Sequence, residues 1–392
     1  MKLVAAILVL SGVGYNLLAL AAAVAFRLRR TKSSAYRPPV SILKPLRGRD
    51  PMFYEALRSH LTQDYPEFEI LCGVADPDDP ALEDVRRLQN EFPSVPLSVH
   101  ITASDAPNAK VGSMEMLGRA AKHEILLVSD GDIRVKPDYL ARVVSPLADE
   151  TVGIVTCLYR GEVVAPRGSL PSRDRTLPSR DREGAVSPLP KAPALAEALS
   201  IATDFAPGVL VAHLLGTGGF ALGATMVFRK VRLAQIGGFA AIREHLADDY
   251  QLGARIAALP SKVVLSDVVV STNLGAVSWS GAWKHQVRWA RTIRVSRPGG
   301  YWGLLFTQVT LWSVIAATLG LTSIAVTGLV IRYAGAAAAL WALRTLSPGK
   351  LLAVPIRDLG GFVVWVAGLG GNTVEWRNTR FRLYRDGRMR PL

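Results

Sequence analysis

Cysteine and charge are both scarce in this chain of 392 residues. Its two cysteines, Cys72 and Cys157, sit inside apolar, strand-like runs. That excludes a disulfide framework and fits buried, reduced thiols in a cytoplasmic protein. Charged residues make up 20% of the chain against 49% hydrophobic ones, which is more apolar than one soluble domain requires. No charge interrupts residues 3–26, a run long enough to cross a bilayer as a helix. A cleaved signal peptide carries its charge ahead of a shorter apolar run, whereas here Arg27, Arg29, Arg30, Lys32 and Arg37 follow it. Residues 1–30 therefore read as a retained anchor, and the positive flank leaves what comes next in the cytoplasm. Acidic side chains are the minority, 32 against 46 Lys and Arg, for a net charge of +14. Such a balance suits nucleic acid, anionic lipid or a phosphorylated substrate. Two membrane-like ends set nucleic acid aside as a partner.

The length allows one large domain of about 250 residues with additional segments. Between residues 39 and 156 short apolar runs at 40–43, 70–74, 97–101, 125–128 and 152–156 alternate with amphipathic stretches at 80–90, 110–122 and 137–147. This alternation predicts a mostly parallel α/β sheet covered on both faces, with ligands at the carboxyl ends of its strands. Residues 161–192 break the pattern. Ser169-Leu-Pro-Ser-Arg-Asp-Arg175 is repeated almost unchanged as Thr176-Leu-Pro-Ser-Arg-Asp-Arg182, and two such heptads cannot bury a core, which predicts a disordered insertion.

Further along, a helix is expected over 194–205, then a glycine-rich turn over 216–223. A strand at 225–229, helices from Val231 and Asp248, and a strand at 263–270 follow. Residues 278–296 form a Trp-rich basic helix. Lys284, Arg288 and Arg291 share one face and Trp279, Trp283, Ala290 and Ile293 another, the pattern of a helix lying in a membrane interface. Residues 302–331 read as one tilted span, with more membrane candidates at 334–343 and 351–371. The last holds Arg357 and Asp358, costly in lipid unless paired or interfacial. Residues 372–392 read as a basic cytoplasmic tail.

The acidic clusters fall where strands end. In Leu126-Leu-Val-Ser-Asp-Gly-Asp132 a strand runs into Asp130 and Asp132, which can hold a hard divalent cation that also takes oxygens from a diphosphate. The bland alternative is an acidic turn. Asp76 closes an earlier strand, where it can meet a base or ribose, while Asp78 and Asp79 either join it or cap the next helix. In Asp248-Asp249-Tyr250 one aspartate is expected to be an N-cap, assigned to Asp248, which leaves Asp249 to face the cleft as a general base. Lys110 either reaches the phosphates or is solvated.

Taken together, Asp76, the Ser129-Asp-Gly-Asp-Ile-Arg-Val135 segment, Asp248-Asp249-Tyr250 and the Arg288-Trp289 pair resemble the ceramide glucosyltransferase-like family. These are inverting glycosyltransferases of GT-A fold, a Rossmann-like, mostly parallel sheet. The resemblance runs over residues 40–294, broken at 161–192, and makes 38–300 the catalytic domain. It implies a UDP-sugar donor bound by Asp76, Asp79, Lys110, Asp130, Arg288 and Trp289. It also implies Mg²⁺ or Mn²⁺ on Asp130 and Asp132, and Asp249 as the base. Arg288 and Trp289 end the family's Gln/Arg-x-x-Arg-Trp motif, but the first motif position here is His285, with Gln286 displaced by one. Trp283, His285 and Gln286 fall on the acceptor and membrane side. The glycine-rich turn and the His285–Arg291 run look similar to the hopanoid-biosynthesis members. Those members imply a hydroxylated hopanoid as lipid acceptor over ceramide, with N-acetylglucosamine or glucose as the sugar. The expected setting is a multi-pass inner-membrane enzyme facing the cytoplasm. Its rivals are a processive polysaccharide synthase and a catalytically silent membrane scaffold.

Overall fold

The computed structural model describes residues 1–30, 34–50, 52–163, 191–275, 278–376 and 379–392. The heptad repeat at 169–182 lies outside them. The expected strands form as β1 (Val40–Pro45), β2 (Phe68–Val74), β3 (Leu97–Ile101), β4 (Ile125–Val128), β6 (Val152–Glu162), β7 (Met226–Arg229) and β8 (Lys262–Asn273). A short β5 (Ile133–Arg134) joins them. All belong to one sheet of order β3-β2-β1-β4-β7-β6-β8-β5. Strands β3, β2, β1 and β4 are parallel, as are β6 and β8.

The sheet departs from parallel at β7, which runs against both β4 and β6, and at β5, which runs against β8. The register gives the reason. Met226, the first residue of β7, pairs with Val128, the last of β4, so the glycine-rich turn delivers the chain to the carboxyl edge and β7 must run back. That turn therefore hangs beside Asp130.

Every residue of β1, β2 and β4 is buried, which requires cover on both faces. Alternate side chains supply the two contacts. Ile42, Ile70 and Leu127 pack with helices Phe53–Leu61, Ala81–Glu91 and Tyr139–Val144. Leu43, Leu71, Leu126 and Val128 pack with helices Ala109–Ala120 and Asp248–Ala257.

Among the described residues three helices are long and apolar enough to cross a membrane: Lys2–Leu28, Ala192–Leu214 and Thr322–Ala342. The second was expected only as a domain helix over 194–205. It stays continuous through a π-helical turn, Ile201–Phe205. The single span expected over 302–331 does not form. The chain makes helix Val309–Thr318, reverses at Gly320 (φ +81°), and starts again at Thr322, because glycine alone accepts that backbone without strain. Small residues let these helices touch: a Cβ on Gly12 would lie 2.7 Å from Val309 Cβ, and one on Gly328 2.9 Å from Val9 Cγ1.

Arg357 and Asp358 are paired, as lipid burial demands. Arg332 donates to both oxygens of Asp358, at 2.8 and 2.6 Å, and to the Thr203 carbonyl at 3.1 Å. Arg357 holds Asp204 at 2.6 Å.

The sheet is fastened to this bundle at the C-terminal end of the Lys2–Leu28 helix, where Arg29 donates to the Leu265 carbonyl at 3.2 Å. Residues 372–392, read as a tail, instead build a small antiparallel sheet of β9 (Thr373–Trp376), β10 (Thr379–Leu383) and β11 (Met389–Pro391) in the order β11-β10-β9. Alternation in Thr379-Arg-Phe-Arg-Leu383 buries Phe381 and Leu383 and leaves Arg380 and Arg382 exposed.

Candidate active site

The site gathers at the carboxyl edge between β4 and β7. Asp130 leaves β4, and Lys110 reaches it from the first turn of helix Ala109–Ala120, which Asn108 caps by accepting from the Lys110 and Val111 amides. Lys110 Nζ lies 2.8 Å from Asp130 Oδ1 and 3.2 Å from Asp248 Oδ2, with its side chain only 11% exposed. Gly223, in the glycine-rich turn, is the centre of the group. A Cβ there would sit 3.3 Å from Asp130 Oδ2, 3.3 Å from Asp249 Oδ2 and 3.4 Å from Lys110 Nζ. Its amide donates to Asp249 Oδ2 at 2.8 Å, and Tyr250 N–H donates to Oδ1 at 2.7 Å.

The Asp249 helix reaches this loop because Gly253 has no side chain. A Cβ at Gly253 would collide with Ala221 N and lie 2.8 Å from Phe220 Cα, so helix and loop touch backbone to backbone. The expected N-cap role of Asp248 is corrected. The helix starts after Ala247 without a side-chain cap, and Asp248 turns inward because a buried lysine offers it more than an exposed amide does.

Burial and neighbouring charge raise the proton affinity of two carboxyls here. The Asp249 carboxyl is pushed up to about 6, first by desolvation and then by Asp248, with Lys110 opposing. Asp132 likewise rises to about 6 through desolvation and the neighbouring Asp130, against a hydrogen bond from Thr272. Burial pulls Lys110 down, but Asp130, Asp248 and Asp249 outweigh it and hold the ammonium more firmly than usual. Asp132 borders a recess of ≈ 240 Å³, open mouth included, also lined by Met52, Arg134, Glu162, Ser271 and Thr272.

Asp76 and Asp79 follow β2, with β1 between them and Asp130. At the usual strand spacing this puts β2 and β4 about 10 Å apart, a span a nucleoside diphosphate covers. Asp76 is exposed, and its Oδ1 accepts the Asp78 amide at 2.9 Å. Asp79 takes the alternative left open for it: Oδ2 accepts Gly48 N–H at 2.8 Å and Oδ1 accepts Ala81 N–H at 2.9 Å. Both of its oxygens accept from the backbone, so Asp79 fixes the loop and helix entry.

The motif helix Trp279–Ser296 joins the cleft through a row of rings. Tyr159, whose hydroxyl is held well above its ordinary range by burial and by Asp249, Asp130, Glu197 and Asp132, lies 5.2 Å from the Phe205 ring. Phe205 is 6.0 Å from Trp289, and Trp289 4.7 Å from His285. His285 Nδ1 lies 2.6 Å from the buried Glu197 carboxylate. Arg288 and Gln286 are half-buried on the same helix.

Trp279, Trp283 and Ile293 are exposed as an interfacial helix requires. Ala290 does not share their face. It packs with Tyr301 and Trp365, and a Cβ on Gly368 would lie 2.8 Å from it. The other face is not free, since Arg291 donates to the Thr373 carbonyl at 2.5 Å and Lys284 to Glu375 at 3.1 Å.

Several residues built into or against this cleft escaped the sequence reading. Lys44, next to last in β1, is fully buried, donating to Ser129 Oγ at 3.2 Å and to the Asp130 carbonyl at 2.9 Å. Burial lowers it to about 8 against the pull of Cys72, Asp132 and Asp130. A lone lysine near the end of an apolar strand was the available signal. Tyr159, Glu197 and Gly253 carried no local signal, because each matters through a partner distant in sequence.

Among the described residues no group of three or more His, Cys, Asp or Glu side chains is arranged to hold a metal by itself. Asp130 and Asp132 offer hard carboxylate oxygens, and Asp130 Oδ2 faces the cleft while Oδ1 meets Lys110. Such a pair fits Mg²⁺ or Mn²⁺ whose remaining ligands are substrate phosphates and water.

A sheet of this order with its acidic cleft at the carboxyl edge is that of a GT-A glycosyltransferase. Residues 4–169 and 185–389 match the profile of glycosyl transferase family 21, and the chain belongs to that family. It is similar to ceramide glucosyltransferase 1 of Caenorhabditis elegans, 24% identical over 368 residues that cover 90% of this chain and 73% of that protein. Ceramide glucosyltransferase 3 of the same organism is 25% identical over 67% of this chain and 52% of its own length. In fold the chain is similar to the mannosyltransferase PcManGT of Pyrobaculum calidifontis, solved with GDP-Man and Mn²⁺. The TM-score is 0.53 at 22% identity, covering 94% of this chain and 97% of that one.

Proposed function

We infer that this glycosyltransferase moves a sugar from UDP to the hydroxyl of a membrane lipid, with inversion, at the cytoplasmic face of the inner membrane. The observation that carries the reading is Asp249. Its carboxylate is recessed, fixed by two backbone amides, and raised to about 6, so it is ionised near neutral pH yet more basic than an ordinary aspartate. That suits a general base.

An acceptor hydroxyl beside Asp249 gives its proton to the carboxylate as its oxygen bonds to the anomeric carbon. The bond from that carbon to the UDP oxygen breaks, its electron pair leaves with the diphosphate, and the α-linked sugar becomes β-linked. Arg288 faces the growing charge of the leaving group, and Trp289 packs the donor side. Asp76 takes the uridine. Lys110 balances the cluster so that Asp130 and Asp249 can approach one donor. A divalent cation on Asp130 and Asp132, as the Mn²⁺ of the archaeal mannosyltransferase suggests, would neutralise the diphosphate.

The lipid acceptor follows from the curated relatives, which are ceramide glucosyltransferases, and from Trp279 and Trp283 exposed on the helix that carries Arg288. Within lipid acceptors we favour a hydroxylated hopanoid over ceramide, and N-acetylglucosamine or glucose as the sugar. A processive synthase needs a channel, whereas here helices Lys2–Leu28, Val309–Thr318 and Thr322–Ala342 meet through glycines.

The deciding experiment is mass spectrometry of lipids after the purified enzyme is incubated with UDP-sugars, Mg²⁺ or Mn²⁺, and vesicles holding either hydroxylated hopanoid or ceramide. A single hexose or N-acetylhexosamine added to one lipid is the expected result. A soluble polymer would establish the synthase, and no turnover of any donor the silent scaffold.

A further inference from the structure

The small C-terminal sheet touches both halves of the site. On one side it holds the segment that leads into Asp248. Met389 N–H donates to the Glu244 carbonyl at 2.6 Å, Arg388 forms a β-bridge with His245 and an ion pair with Glu244 at 3.6 Å, and Leu246 is buried with Val374, Phe381, Leu383 and Met389. The opposite side of that segment is held by Asn108, whose side chain donates to the His245 carbonyl at 2.8 Å and whose amide donates to the Arg243 carbonyl at 3.0 Å. Asn108 is also the cap of the Lys110 helix. Residues 243–246 thus join Lys110, Asp248 and Asp249 to the C-terminal sheet.

The sheet's other edge is gripped by the helix of Arg288 and Trp289. Arg291 donates to the Thr373 carbonyl at 2.5 Å. Arg294 donates to the Leu369 carbonyl, to the Gly371 carbonyl at 2.6 Å and to Asn372 Oδ1 at 2.7 Å. The turn between β10 and β11 lies where the elements converge. A Cβ on Gly387 would be 3.7 Å from Gln251 Nε2, 3.8 Å from His245 Cδ2 and 3.8 Å from Ser296 Oγ, one atom from the Asp249 helix, one from the segment before it and one from the motif helix.

We propose that the β9–β11 sheet is a positioning element of the active site, a strap that sets the spacing between the Asp249 helix and the Arg288–Trp289 helix. It touches no reacting atom. It works through Arg291 and Arg294 on one side and through Met389 and Arg388 on the other. The catalytic consequence rests on Asp249 and Arg288 acting as read above; the spacing itself does not.

The test uses full-length enzyme in detergent with Arg291→Ala and Arg294→Ala combined. Spin labels go on Ala258→Cys and Ile293→Cys, both exposed sites, while the native Cys72 and Cys157 are buried. The expected result is a broadened label-to-label distance distribution and a kcat lower by about tenfold or more, with donor KM within about threefold. Arg291→Lys with Arg294→Lys should recover part of both. Deletion after residue 371, assayed with and without a synthetic 372–392 peptide, guards against a folding failure, and the peptide should narrow the distances and restore turnover. An unchanged distribution overturns the strap, whatever happens to kcat. A broadened distribution with unchanged kcat overturns its role in catalysis. Failure of the base assignment shows separately, as normal turnover by Asp249→Asn on an intact strap.

Discussion

Two clusters of buried charge are built in this chain, and they are balanced differently. Among the helices, Arg332 and Arg357 face Asp204 and Asp358, two cations against two carboxylates, with the guanidinium of Arg332 further tied to a backbone carbonyl. In the cleft Lys110 stands among Asp130, Asp248 and Asp249, with Asp132 and its Thr272 partner beyond. The first cluster is neutral and saturated. The second keeps an excess of negative charge, and burial, aided by that excess, raises two of its carboxylates to about 6. The helix network balances its charge internally, while the cleft keeps some in excess, as the proposed cation, diphosphate and proton transfer would require.

Single substitutions should separate the two kinds of cluster. Asp249→Asn removes the proposed base and should lower kcat about 10³-fold with UDP binding little changed, measured by lipid product formation and by calorimetry. Its stability should move the other way. A carboxyl raised to about 6 favours the fold while protonated, and that advantage is lost as pH rises through 6. At pH 7.5 the neutral asparagine should therefore leave Tm unchanged or higher. By the same sign the wild-type rate should fall as pH drops through about 6, where the base takes up its proton.

Asp358→Ala should do the reverse. It strands Arg332 and costs about 3–5 kcal/mol, read as a lower Tm in detergent, whereas Arg332→Met with Asp358→Leu should recover most of the loss. If the paired replacement is as unstable as the single one, the bundle network is not the balanced pair described. The smallest effect is expected from Gly223→Ala. Its methyl would meet Asp130 and Asp249 oxygens at 3.3 Å and should raise donor KM about tenfold, roughly 1.4 kcal/mol, with Tm nearly constant.

Much of the cleft was legible because its aspartates stand in short motifs at the ends of apolar strands, and β1 to β4 formed where the runs predicted. What was misread turned on distance. Asp248 obeyed a partner in another helix over a local capping preference. Asp79 could have gone either way until Gly48 was placed beside it. Gly320 lies inside the apolar run read as one span, and only the packing of Val309–Thr318 onto Lys2–Leu28 shows why the chain turns there. The C-terminal sheet did announce itself, in the period-two pattern of Thr379–Leu383, but its arginines made it look like a tail.

Gly253 carries a last consequence. Where side chains separate two elements, their spacing wanders with every rotamer exchanged. The Asp249 helix and the Gly216–Gly223 turn meet main chain to main chain, and a peptide backbone has no rotamers to hop. The placement of Asp249 thus inherits the stiffness of covalent geometry, kept by the one residue whose contribution is a missing methyl group.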